Sequence, residues 1–276
     1  MTLCPAESDS GIVFSRVDRA DATVPATIFN VIDDQYSTTI GRDDGLRIGT
    51  IEHLMAALAG CGIDNAVVKI DGPEVPIMDG SAAPFVSLIE RAGTVEQDAP
   101  RKAIKVLKEL TVGDNGRSAT LSPAERFSVS FEIIYDHPLI ARQELTFDFE
   151  NGAFKSEIAR ARTFCLESEV SHLRSLGLAR GGSLDNAVIV GDSRILNEGG
   201  LRHEDEFVRH KILDCIGDLY LAGGMILGHF RGRCSGHALN RRLLEALFAD
   251  ETAWCFTTVE SSGCATEESP SLAASA

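Results

Sequence analysis

The 276-residue sequence has no Cys-x-x-Cys pair, no long apolar run and no excess of basic charge. Each absence narrows what the chain can be. Its seven cysteines are odd in number and scatter from Cys4 to Cys264. That pattern suits a reducing compartment and argues against a cysteine-ligated zinc ribbon. No apolar stretch is long enough to cross a bilayer as a helix. The first residues, M-T-L-C-P-A-E-S-D-S, lack the basic and apolar regions of a signal peptide and the arginines of a transit peptide. Lys and Arg number 26 against 41 Asp and Glu, a formal charge of −15. Nucleic-acid phosphates need a basic footprint, so nucleic acid is not an expected partner. An anionic substrate would depend on local cations, for which Arg160, Arg162, Arg209 and Lys211 are candidates. G-G-S at 181–183 lacks the Lys-Ser/Thr ending of a phosphate loop.

What remains is an ordinary globular composition, 44% hydrophobic and 24% charged. It predicts one or two domains with ample core; the chain is expected to be a cytoplasmic monomer. Within residues 11–50, G-I-V-F and V-P-A-T-I-F-N-V-I read as short strands. Thr50 is placed to cap a helix running to about Gly60, with Glu52 and His53 in its first turn. N-A-V-V-K-I reads as a buried strand, D-G-P-E-V-P-I-M-D-G as a stiff loop, and S-A-A-P-F-V-S-L-I-E-R-A-G as a capped helix. The polar stretch 94–102 is the expected boundary. Beyond it come strands in A-I-K-V-L, T-V-G-D, A-T-L-S and F-S-V-S-F-E-I-I-Y. A long helix over 203–222, a strand M-I-L-G-H-F and a helix L-N-R-R-L-L-E-A-L-F follow. The order strands, helix, strand, helix thus occurs twice. The tail, 263–276, is low in complexity and expected to be disordered.

The most informative stretch is E-F-V-R-H-K-I-L-D-C-I-G-D, 206–218. On a helix His210, Asp214 and Asp218 form one stripe at four-residue spacing. A His and an Asp at i, i+4 can clamp a divalent metal. The plain alternative is a histidine satisfied by an aspartate on a solvated face. Asp218 and Lys211 weigh against it, since so many ionisable groups beside an apolar face suggest a site. His53 as a third ligand would leave a His₂Asp set with an open position, as a catalytic zinc needs. Glu52 would then reach water without ligating the metal, which is the position of a general base. His237, in S-G-H-A-L-N, either caps the following helix or pairs with Asp218 and gains charge. Thr163 is an ordinary strand residue or a donor to an oxyanion. Small residues beside Leu184, Ala187, Val188 and Ile189 could line a slot for a hydrocarbon chain.

Taken together these segments resemble the UDP-3-O-acyl-N-acetylglucosamine deacetylase family, zinc amidases of lipid A synthesis. The matching runs are 51–65, 73–86, R-A-R-T-F (160–164), G-G-S-L-D-N-A-V-I-V (181–190), 196–219 and S-G-H-A-L-N (235–240). The resemblance implies zinc held by His53, His210 and Asp214, with Glu52 as base and His237, partnered by Asp218, as the second catalytic group. It implies Thr163 on the oxyanion side, Lys211 on substrate, and an acyl passage involving Phe164, Leu166, Gly182, Leu184, Ala187 and Ile189. The implied substrate is a UDP-linked acylated glucosamine. The implied fold is α+β: two similar α/β halves, 1–100 and 101–262, each a sheet with two helices, the helices packed between the sheets. Residues 166–190 match an inserted β-α-β unit of the second half. The alternatives are a metal-binding paralogue without catalysis, or a zinc amidase for another acylated sugar. Two lysines expected on the substrate side are replaced, by Cys234 and Ser122. The family's opening strand and G-L-H-S/T-G-like turn precede the position of Met1, which predicts an unpaired sheet edge in the first half.

Overall fold

The computed structural model describes residues 1–150, 152–177 and 179–259; the tail expected to be disordered lies outside them. In chain order, β1 (Thr2–Pro5), β2 (Ile12–Arg16), β3 (Ala22–Pro25), β4 (Val31–Asp33), β5 (Thr39–Gly41) and β6 (Arg47–Ile48) lead to α1 (Glu52–Gly60). Then come β7 (Ala66–Ile70), α2 (Ala83–Ala92), β8 (Arg101–Val106), β9 (Leu110–Asp114), β10 (Arg117–Ser122), β11 (Ser128–Ile134) and β12 (Arg142–Asp148). After them follow β13 (Phe164–Leu166), α3 (Glu167–Ser175), β14 (Val188–Val190) and α4 (Glu206–Leu219). The chain continues through β15 (Met225–Leu227), β16 (His229–Arg233), α5 (His237–Ala249) and β17 (Trp254–Val259). The fold is α+β.

One sheet runs β1-β7-β2-β3, with β2 and β7 parallel and the other pairs antiparallel. β1 is its edge, paired only with β7 among the described residues. A five-stranded sheet runs β12-β11-β16-β10-β9, and β15-β8-β17 forms a third. In β11 the sequence S-V-S-F-E-I-I buries Val129, Phe131 and Ile133 and leaves Ser130 and Glu132 partly exposed. That alternation is what one core face and one wetter face demand.

α4 is the central element. It buries every residue except Arg209 and Lys211. It packs along α1, which is buried from Glu52 to Ala59. Gly217 permits their approach: a Cβ there would sit 2.0 Å from the Glu52 carbonyl oxygen. Only a residue without Cβ fits where two backbones come this close.

Several sequence expectations need correction. Thr50 does not cap α1. It sits at φ +56° and gives its hydroxyl to Glu74 Oε1 at 2.7 Å. V-P-A-T-I-F-N-V-I is not one strand, because Pro25 ends β3 and a 3-10 turn, Ile28–Asn30, separates it from β4. Proline offers no N–H to a ladder, so the strand stops there. M-I-L-G-H-F divides at Gly228 between β15 and β16, which lie in different sheets. A Cβ at Gly228 would meet Val106 Cγ2 at 2.9 Å, so the chain bends where it has no side chain. The long helix is shorter than 203–222, starting at Glu206 and tightening to a 3-10 turn at Tyr220–Ala222.

Candidate active site

α1 and α4 place their functional side chains in one buried volume. His53 and Glu52 stand in the first turn of α1. His210, Asp214 and Asp218 follow one another along α4 at the spacing of successive turns. His53 Nε2 lies 3.4 Å and His210 Nε2 3.2 Å from Asp214 Oδ1. Ligand atoms of the three residues all lie within 4.8 Å of one another, and all three residues are buried. Asp214 Oδ1 has no hydrogen-bond partner. A buried carboxylate oxygen is rarely left so, and two imidazole nitrogens converge on it. This donor set, two nitrogens and one oxygen around an unsatisfied point, fits a divalent metal.

The supports of these ligands are also built. His210 Nδ1 is 3.1 Å from the Ala161 carbonyl, an acceptor that fixes a proton on Nδ1 and frees Nε2. Burial pushes His210 down to about 3, so the ring is neutral, as a ligand must be. Ala161 is held by its neighbour. The Arg162 guanidinium grips Glu206 in a buried two-pronged pair at 2.8 and 3.0 Å. The Arg162 and Arg202 backbone N–H groups reach the same carboxylate. Glu206 opens α4, so this cluster locks residues 160–163 to the start of the helix that carries His210 and Asp214. The expectation that Arg162 and Arg209 serve an anionic substrate is therefore corrected. Arg162 is held by Glu206, and Arg209 by Asp205 at 2.6 Å.

Lys211 gives Nζ to Asp214 Oδ2 at 2.9 Å and stands 5.7 Å over the Phe164 ring. Burial would raise the Asp214 carboxyl, but its cationic surroundings, Lys211 among them, hold it well below the usual carboxylate range. Phe164 also packs edge-on against Phe207 at 4.9 Å between ring centroids. Thr163 is half-buried just before β13, not within a strand. Its N–H donates to Gly80 at 2.8 Å, and its carbonyl accepts from Val188 at 2.7 Å.

A second group lies one turn further along α4. His237 is the first residue of α5, and its side chain makes no cap. Nδ1 instead meets Asp218 Oδ2 at 2.8 Å. Burial opposes a charge on this ring, but Asp218, then Glu52 and Asp214, raise it to about 10. Asn240 donates to the same Oδ2 at 2.8 Å, and Thr38 donates its hydroxyl to Oδ1 at 2.6 Å. Glu52 is pushed up by burial, and the nearby His237 works against that rise. Thr38, Asp218, His237 and Arg241 line one small pocket. Sequence reading missed Thr38, Asn240 and the Arg162–Glu206 pair. Asn240 carried a signal, since it ends S-G-H-A-L-N one turn after His237. Thr38, in S-T-T, carried none.

The remaining residues expected at the site lie on the β13-α3-β14 segment. β13 and β14 pair in parallel, setting Phe164 beside Val188 and Leu166 beside Val190. Alternation puts Ile189 with Cys165 on the other face, so the strands separate Ile189 from Phe164 and Leu166. Ala187 is half-buried, and Gly182 and Leu184 are exposed in the loop before β14.

Residues 1–249 match the model of the family described as UDP-3-O-acyl N-acetylglycosamine deacetylase. The chain belongs to this deacetylase family. A UDP-3-O-acyl-N-acetylglucosamine deacetylase of Acidithiobacillus ferrooxidans is 54% identical over 257 residues, 92% of this chain and 84% of that protein. One from Saccharophagus degradans is 52% identical over 94% of this chain and 86% of its own length. The Hahella chejuensis protein is 49% identical over 95% and 88%. Deacetylases of this family act on an amide, and the buried His-His-Asp cluster could hold a metal ion. Among the described residues no helix is long and apolar enough to cross a membrane.

Proposed function

We infer that this chain hydrolyses the acetamide of UDP-3-O-acyl-N-acetylglucosamine, releasing acetate and the free amine. The observation that carries this reading is the buried convergence of His53, His210 and Asp214 beside Glu52 and the His237–Asp218 pair. Zinc held by those three residues would supply Lewis acidity at that point. Glu52, ionised, takes the proton of the attacking water. The Thr163 hydroxyl donates to the oxygen that gains charge as the carbonyl carbon becomes tetrahedral. His237, cationic beside Asp218, adds positive charge on the same side and holds a proton within the site. A Glu52 that must be ionised and a His237 that must be protonated give kcat/KM a bell-shaped pH profile. Lys211 stays charged beside Asp214 and faces the UDP-sugar.

The same reading extends to the rest of the molecule. The described residues of 1–100 and 101–262 form two α/β halves, each a sheet with two helices and the helices packed between the sheets. All strands of the first sheet come from residues 2–70, and all strands of the five-stranded sheet from 110–233. The β13-α3-β14 unit borders the acyl chain. The protein works as a cytoplasmic monomer. Mass spectrometry of the reaction with the UDP-sugar tests the activity. Loss of one acetyl group with the O-acyl chain retained is expected. An unchanged substrate, or loss of the O-acyl chain instead, would overturn it.

A further inference from the structure

We propose that Thr38 is a positioning residue of the deacetylation, holding the general base and the cationic pair in register through two separate hydrogen bonds. The inference rests on the roles proposed above for Glu52, His237 and Asp218. Thr38 is buried and lies in the short link between β4 and β5, distant in sequence from every motif of the site. Its backbone N–H donates to Glu52 Oε2 at 3.0 Å. Its hydroxyl donates to Asp218 Oδ1 at 2.6 Å and stands 3.3 Å from His237 Nδ1. Its carbonyl accepts from the N–H of Ile51, the residue before Glu52, at 3.3 Å. One residue therefore touches three of the groups that move or hold protons, as well as the backbone entering α1.

The division of donors around Asp218 gives Thr38 a specific task. Oδ2 is already shared by His237 and Asn240. Oδ1 receives the Thr38 hydroxyl. Without that hydroxyl a buried carboxylate oxygen loses a charge-assisted bond and the carboxylate is free to turn. The His237 ring is aimed by that carboxylate, so its Nε2 side would lose its fixed direction. The bond from the Thr38 backbone to Glu52 survives any side-chain change. Replacing the side chain thus separates the hydroxyl's effect on the cationic pair from the backbone's hold on the base.

The test compares Thr38→Val, Thr38→Ala and Thr38→Ser with wild type in zinc content, Tm, kcat and KM on the UDP-sugar. Thr38→Val keeps the shape and removes the hydroxyl. Thr38→Ala repeats the deletion in a smaller side chain that cannot overpack the site. Both should lower kcat about 10- to 100-fold with KM within about twofold. Thr38→Ser should restore most of the rate. A double-mutant cycle with Asp218→Asn completes the experiment. If Thr38 acts through Asp218, the loss from Thr38→Val should shrink by more than half in the Asp218→Asn background. Wild-type kcat in Thr38→Val and Thr38→Ala would overturn the proposal. So would rate losses that follow losses of Tm or zinc, or full additivity in the cycle. An undiminished kcat in Asp218→Asn alone would instead overturn the underlying roles, and the proposal with them.

Discussion

Helices α4 and α3 differ in nearly every physical respect. α4 buries all but two of its residues, lies against α1 and carries His210 and Asp214, two of the three proposed metal ligands, and Asp218. α3 buries none and rests mainly on β13. Reactive groups that must hold sub-ångström geometry are built into the packed helix, where each rotamer is fixed by several neighbours. The outlying unit is proposed to border the substrate's acyl tail, where a tolerance of a few tenths of an ångström costs little. The contrast predicts that substitutions on α4 change chemistry and stability together, while those around α3 and β14 change preference alone.

The largest effect should come from the ligands. His210→Ala or Asp214→Ala should abolish measurable turnover, a loss on the order of 10³-fold or more, together with bound metal. Zinc-loaded His210→Ala protein with near-normal turnover would erase the distinction between the two helices.

Gly217→Ala should come next. Its added methyl would meet the Glu52 carbonyl at 2.0 Å, so α1 and α4 must part. Overpacking of this kind costs about 1–3 kcal/mol. Thermal unfolding should therefore fall by several degrees, and kcat should fall with it, because the displaced residue carries the base. A normal Tm would mean that the helices are not held as tightly as their packing implies.

A smaller and pH-dependent effect belongs to His237. Asp218 raises this imidazole to about 10 from 6.5 against the effect of burial. A raised folded-state pKa contributes stability that is complete below the unfolded value and fades as pH climbs through the folded one. In chelator-treated protein the stability difference between wild type and His237→Gln should be largest below about pH 6.5. It should shrink steadily towards pH 10. Urea titrations across that range measure it. A difference that grows with pH would reverse the assignment of charge.

The smallest effect on the fold should come from Gly182→Phe. The glycine is exposed, and its nearest obstacle is the Ala179 carbonyl, 3.1 Å from a built Cβ. Tm and zinc content should change little, while preference among acyl lengths moves towards shorter chains. An unaltered chain-length profile would remove 181–190 from the acyl passage.

The legibility of the sequence follows the same divide. The α4 stripe was readable because helical spacing converts directly into spatial neighbours, so His210, Asp214 and Asp218 announced one another. His53 enters from its residue type and helix position only as a conditional third ligand, and the family resemblance assigns it, since no periodicity reaches from residue 53 to 210. Local pattern alone leaves His237 between a cap and a partner of Asp218; the resemblance implies the pair, and the 2.8 Å contact shows it. Thr38 was invisible for a different reason. Its value lies in a backbone N–H and a hydroxyl brought to the site by a short β link, and no local pattern encodes that. Strands such as β12, with R-Q-E-L-T-F-D alternating around a single buried Phe147, were passed over because little of them is apolar. The splitting of 225–230 at Gly228 was likewise a tertiary event, set by the nearness of Val106.

The central claim is that three side chains hold the metal while the neighbouring carboxylate does the proton work. Zinc stoichiometry and turnover of Glu52→Gln, measured beside His210→Ala, address it most directly. The account predicts about one zinc per chain in Glu52→Gln, as in wild type, with turnover lost, and no retained zinc in His210→Ala. Zinc lost from Glu52→Gln as fully as from His210→Ala, or turnover preserved in Glu52→Gln, would contradict it.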